Sequence, residues 1–120
     1  MFEDIHPKQK QPLLAMGRFV QATQLSRKAL RLYEKMAILA PVFIDRYTGY
    51  RYYSIDQIER ARFIRLLRAM EMPLATIQQV LDTDTNQGAI QIIMDCQKEF
   101  EERTYQVQRA YHKVLAYLNK

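Results

Sequence analysis

The last 32 residues, Ala89 to Lys120, contain neither glycine nor proline, and apolar side chains recur through them at alternating steps of three and four. The series runs Ile90, Ile93, Gln97, Phe100, Thr104, Val107, Tyr111, Val114, Leu118. Seven of these nine positions are apolar or aromatic, which is the seam of a coiled coil. The spacing predicts one helix about 45 Å long. A stripe of that length cannot be covered by the short block that precedes it, so it requires a partner helix. A second copy of the same chain is the simplest source. Ile90, Ile93, Phe100, Val107, Tyr111, Val114 and Leu118 are therefore expected to form a homodimer interface.

Upstream, Asp82-Thr83-Asp84-Thr85-Asn86-Gln87-Gly88 is the clearest break, and residues 82–88 are read as a linker. Three Gly and four Pro in 120 residues are too few for an all-β fold with many tight turns, so residues 16–81 are expected to be mostly helical. Gly17–Thr23 reads as a short helix. Gln24-Leu25 interrupts it, and Ser26 is a good N-cap for a second helix from Arg27 to about Met36. Two helices about three residues apart match the spacing of a helix-turn-helix. After Ala40-Pro41, the β-prone runs Val42-Phe43-Ile44 and Tyr50-Arg51-Tyr52-Tyr53 flank a turn from Asp45 to Gly49 and read as a hairpin. Ser54 and Gln57 form a capping-box pattern that opens a third helix running to about Met70. Pro73 suits the first position of a fourth, with Leu74, Ile77 and Leu81 on its buried face.

The net charge of +5 is unevenly distributed. Residues 16–81 hold eleven bases against five acids, whereas residues 82–120 hold five against six. Nine of the eleven are Arg, whose planar fork suits phosphate and guanine. On a projection of the second helix, Arg27, Lys28, Arg31 and Lys35 share one arc, while Ala29, Leu30, Leu32, Tyr33 and Met36 fill the other. Arg27 and Lys28 sit in the first turn, where the helix dipole disfavours cations by roughly 0.3–1 kcal/mol each. An anionic partner explains that placement; bases snorkelling on an exposed helix are the other reading. In the hairpin, Arg51 lies on the face opposite Tyr50 and Tyr52, an interleaving suited to sugar-phosphate contact, with Tyr52 or Tyr53 as half-buried support. Arg60, Arg62, Arg65 and Arg68 read as a solvated face.

Several classes of function find no support. The single cysteine, Cys96, excludes an intramolecular disulfide framework and a zinc site with two thiolates of one chain, and reads as an ordinary buried thiol. No Gly-rich phosphate loop, nucleophile elbow or His/Cys metal spacing is present, and His6 and His112 lie in distant segments. The chain is not read as an enzyme, and no cofactor is expected. The longest apolar run, Met36 to Ile44, includes Pro41 and is too short to span a membrane. Met1–Pro12 is polar and lacks a signal-peptide core, so residues 1–15 read as a flexible arm and the protein as cytoplasmic.

Leu25-Ser26-Arg27-Lys28-Ala29-Leu30-Arg31-Leu32-Tyr33-Glu34, then Ile38-Leu39-Ala40-Pro41, then Asp45 and Thr48-Gly49-Tyr50-Arg51-Tyr52-Tyr53-Ser54 together resemble the MerR family of transcription regulators. Arg62-Phe63-Ile64 to Met72-Pro73-Leu74 continues the likeness, which covers residues 16–81 closely and the long helix in type. Ala29 and the Tyr-Arg-Tyr-Tyr-Ser run most resemble the branch that activates multidrug-efflux genes. The resemblance implies a mostly α fold: a winged helix-turn-helix DNA-binding domain over residues 16–81, its wing a short β-hairpin. A long dimerisation helix over residues 89–120, in an antiparallel coiled coil, follows. It implies a sequence-specific regulator, an activator that binds a pseudo-palindromic promoter as a homodimer and distorts the duplex so that RNA polymerase engages. By position, Ser26, Arg27, Lys28, Arg31, Tyr33 and Lys35 of the second helix and Tyr50, Arg51 and Tyr53 of the wing are the expected DNA-binding residues. Leu32 departs from the family pattern where an aromatic is usual, and Met72 replaces the polar residue that usually caps the fourth helix. The metal-sensing branches carry several cysteines near the dimer helix; with Cys96 alone, no metal site is expected.

Regulators of that branch usually carry an effector-binding domain beyond the dimer helix. A ligand pocket needs converging walls, whereas residues 16–81 offer a small core and a two-helix coiled coil encloses no cavity, so no small-molecule effector domain is expected within these residues. Val114, Leu115 and Leu118 are still seam-like near Lys120, with no C-cap Gly or Pro after them. The chain therefore reads as either a truncated regulator or one working without a sensor domain. The competing reading is a coiled-coil protein-interaction adaptor with an incidental basic domain. A steep fall of duplex affinity with salt separates the two. RNA is the weaker nucleic-acid partner, since a basic helix suits the DNA major groove better than A-form RNA.

Overall fold

The computed structural model describes residues 12–120. Most of the expected N-terminal arm lies outside the described residues. The chain divides into two compact units, the first ending at Glu71 and the second running from Met72 to Lys120.

The first unit contains β1 (Leu13–Ala15), α1 (Met16–Thr23), α2 (Arg27–Lys35), β2 (Phe43–Ile44), β3 (Arg51–Ser54) and α3 (Gln57–Ala69). Its sheet is antiparallel in the order β1-β3-β2. The hairpin pairs Phe43 with Tyr52 and Ile44 with Arg51, in the expected place. β1 corrects the expectation of an arm through residue 15: Leu13 pairs with Ser54 and Ala15 with Tyr52. Three residues are too few to show a period of two, and their partner lies about forty positions away.

Met16, Phe19 and Thr23 recur on one face of α1 and are buried. The Thr23 hydroxyl donates to the Phe19 carbonyl at 2.8 Å and accepts from the Leu25 amide at 3.2 Å, so this buried polar group is satisfied while it shapes the turn. The turn reverses at Gln24, which takes a left-handed φ of 62°. Ser26 then caps α2 as expected, its hydroxyl accepting from the Ala29 amide at 3.0 Å. Leu30 and Tyr33 bury the apolar face of α2, and Ala61, Ile64 and Leu67 do the same for α3. At the centre the Phe19 and Tyr53 rings stack, centroids 4.2 Å apart and planes 6° from parallel.

The Ser54 capping box is half made. The Gln57 side chain accepts from the Ser54 amide at 3.0 Å and donates to the Ala40 carbonyl at 2.6 Å, joining the foot of β3 to the loop after α2. Ser54 itself ends β3, and α3 starts only at Gln57. The expected solvated face of α3 is also corrected in part. The Arg62 guanidinium donates to the Ala22 carbonyl in the last turn of α1, and Arg60 donates to the Ile38 carbonyl. These cations satisfy backbone acceptors left over where helices end.

In the second unit, α4 (Leu74–Asp82) starts after Pro73 and packs on α5 (Asn86–Leu118). Ile77 and Val80 are the buried residues of α4, while Leu74 and Leu81, expected in the core, are half-buried. Met72 is fully buried, and no side chain caps α4. The linker is shorter than the expected 82–88: only Thr83–Thr85 separate the helices. Thr85 caps α5, accepting from the Gly88 amide at 3.0 Å. Gly88 is not a break at all. A Cβ there would lie 2.6 Å from the Thr83 methyl group and 3.2 Å from the Thr85 hydroxyl, so any larger residue must displace the Thr83 side chain.

Half-buried residues of α5 end at Phe100, and every residue from Glu101 onward is exposed. Cys96 is half-buried rather than a core thiol. Among the described residues, no helix is long and apolar enough to cross a membrane.

Candidate nucleic-acid interface

The exposed face of α2 carries Ser26, Arg27, Lys28, Arg31 and Lys35. Beside it, Arg27, Arg31, Gly17, Tyr50 and Arg51 line an open cleft of about 400 Å³. Gly17 makes room for the first of these: a Cβ at that position would stand 3.1 Å from Nη2 of Arg27. The cleft thus sets the guanidinium-bearing side chains of Arg27 and Arg31 beside the flank of the hairpin. That combination suits a polyanion.

The hairpin tip is built by side-chain oxygens that satisfy backbone amides. Oδ1 of Asp45 accepts from the amides of Tyr47 (2.8 Å) and Thr48 (3.1 Å), and the Thr48 hydroxyl accepts from that of Tyr50 (3.1 Å). The Tyr47 and then the Thr48 amide hold the Asp45 carboxyl below the usual carboxylate range. Gly49 closes the turn at a φ of 76°, a conformation that L side chains rarely adopt. Arg46 and Tyr47 project from this tip, the guanidinium 6.0 Å from the ring centroid and Tyr47 89% exposed. Sequence reasoning missed both as candidate contacts; the signal available was their place in a short turn between two strands.

Three expected contact residues have other employment. Tyr33 is 4% exposed and Tyr53 fully buried, so their rings support the interface from behind. The Tyr53 hydroxyl finds no hydrogen-bond partner among the described residues. Burial, and secondarily the Glu34 charge, pushes its ionisation above the ordinary tyrosine range. Arg51 points to the helix side of the hairpin: its Nε donates to Oε1 of Glu34 at 2.6 Å and its Nη2 to Oε2 at 3.3 Å. This fork raises the Arg51 pKa, by hydrogen bonding first and by charge second. Tyr50 remains exposed at the cleft.

On α5, the seam residues Ile90, Val107, Tyr111, Val114 and Leu118 are exposed, and Ile93 and Phe100 are half-buried. The chain's own packing leaves this apolar row uncovered, and such a row is of the kind that coiled-coil helices bury between them.

A family model described as the MerR HTH family regulatory protein matches residues 14–84. The chain belongs to the MerR family. The transcriptional regulator BrlR of Pseudomonas aeruginosa is 32% identical over 68 residues, which are 57% of this chain and 25% of that protein. The multidrug-efflux transporter 1 regulator of Bacillus subtilis is 29% identical over 75 residues, 62% of this chain and 27% of that one. The chain spans well under half the length of both MerR-type relatives. In fold it is similar to EcmrR in a cryo-EM structure of an EcmrR–DNA complex in EcmrR-RPo. The TM-score is 0.64 at 23% identity, covering 85% of this chain and 38% of that one.

Proposed function

We propose that this chain is a sequence-specific DNA-binding transcription regulator that holds duplex promoter DNA as a homodimer. The observation that carries the reading is the exposed basic face of α2 set beside a hairpin wing on one cleft. In this reading α2 enters the major groove, with Arg27, Lys28 and Arg31 toward bases and phosphates and Lys35 toward the backbone. The wing tip, with Arg46, Tyr47 and Tyr50, meets the adjacent sugar-phosphate chain. The seam of α5 joins two protomers, so the bound site is a pseudo-palindrome. The relatives are named as regulators, and the mode of regulation that the family resemblance implies is distortion of the promoter for RNA polymerase.

The test is to select bound duplexes from random sequence and titrate the recovered duplex against salt. A dimer that engages roughly six to ten phosphates loses about 10³–10⁵ in affinity between roughly 50 and 200 mM salt. An inverted-repeat site with that dependence is expected. A flat salt response, or recovery of no preferred sequence, refutes the reading.

A further inference from the structure

Glu34 stands where a DNA-reading helix has least use for an acid. It lies three residues beyond Arg31 and seven beyond Arg27 on α2, and so shares their face. An unpaired carboxylate there repels phosphate. The structure gives Glu34 a partner from the wing instead. Both carboxylate oxygens are taken by Arg51, through Nε and Nη2, while Nη1 of Arg51 donates to the Gly49 carbonyl at 3.2 Å. All three guanidinium nitrogens therefore have intramolecular acceptors, and the two side chains are only 26% and 22% exposed. Two positions along β3, Tyr53 is fixed against Phe19 in the core, so the strand has no slack at this point.

Resting on the DNA-binding reading, we propose that Glu34 is a positioning residue that sets specificity. Its fork neutralises Arg51 and fixes the wing at one distance from α2. One cation is thereby withheld from indiscriminate phosphate contact, and the helix and wing meet the duplex at a single spacing. Arg27 and Arg31, on the same cleft, stay available to the nucleic acid. A charge-assisted bidentate pair is the device that gives such a geometry.

Two variants of the full chain test this, with thermal unfolding checked first. Glu34→Gln removes the carboxylate charge at constant size. Arg51→Lys keeps the cation but cannot form the fork. Glu34→Gln frees one cation and is expected to steepen the salt slope on random duplex by about one unit. In Arg51→Lys the ammonium still faces the Glu34 charge, so its slope rises by less while the fixed wing spacing is lost. Affinity for random duplex should rise roughly fivefold, while affinity for the selected site changes less than about twofold, so the ratio of the two falls. Slopes unchanged in both variants, or parallel losses on both duplexes, overturn the proposal and leave the DNA reading intact. A wild-type chain with no salt-dependent binding overturns both. A measurement without substitution stands beside these: the Arg51 Nε proton, followed by NMR, should stay slow to exchange and keep its shift when the selected duplex is added. A shift to a phosphate-bound position overturns the clamp.

Discussion

Removing the Tyr53 hydroxyl should stabilise the protein. The ring is fully buried and stacks on Phe19 at 4.2 Å, and its hydroxyl has no partner among the described residues. Leaving a buried hydroxyl unsatisfied costs about 1–3 kcal/mol relative to its hydrated state. Tyr53→Phe keeps the stack and deletes only the unpaired oxygen, so a gain of about 1 kcal/mol is expected. For a domain of this size that raises Tm by about 4–8 °C. The assay is thermal and urea unfolding at one fixed protomer concentration, since any oligomer makes Tm concentration-dependent. The pH dependence gives a second, independent reading. Burial raises the Tyr53 ionisation, so the folded state binds this proton more tightly than the unfolded chain. Its contribution is fully present below the ordinary tyrosine value of about 10 and is lost as pH rises through the higher folded value. Wild type should therefore lose more stability than Tyr53→Phe above about pH 10. A variant destabilised by more than about 0.5 kcal/mol would refute the reasoning, because it would mean that the hydroxyl has a bonded partner.

Arg31→Ala should cost roughly 1–3 kcal/mol on the selected duplex and little on random sequence; equal losses in a filter-binding comparison reassign Arg31 to phosphate. Val107→Asp with Val114→Asp places charges on two exposed seam positions one heptad apart, so the chain should stay folded but sediment as a monomer. An unchanged dimer would remove the seam from the interface. Gly88→Ala drives a Cβ into the Thr83 methyl group and should destabilise by about 1–3 kcal/mol in denaturant unfolding. No loss would mean that the α4–α5 corner yields easily.

Much of the fold was legible wherever one local rule acted alone. Ser26 announces α2, the turn from Asp45 to Gly49 announces the hairpin, and the three-four spacing announces α5. The reading failed where a distant segment decides. Leu13–Ala15 is a strand only because β3 lies alongside it. Helix ends were blurred because Gln24, Ala37 and Glu71, rather than glycines, take left-handed conformations after α1, α2 and α3. Gly88 looked like a break because its real reason, contact with Thr83, is a packing fact. At the interface, the basic face of α2 was readable from periodicity. The burial of Tyr33 was legible from its place on the apolar arc, and Tyr53 was one of two expected supports, but their assignment as DNA contacts came from the resemblance and gives way to that burial. The pairing of Arg51 with Glu34 was not legible, because residue type alone does not say which neighbour a strand side chain meets.

The Arg62 tie to Ala22 joins residues 40 positions apart, and β1 waits for β3 across a similar span. This sets an order in time as well as in space. On a ribosome adding about 5–20 residues per second, the helix-turn-helix is complete about 1–5 s before the side chain that holds its first helix has been made. During that interval α1 and α2 are a helical pair without their brace, and Leu13–Ala15 is a strand without a sheet. Since the arginine that closes the unit is synthesised after the basic helix, the DNA-facing surface is assembled only once Arg62 has been made.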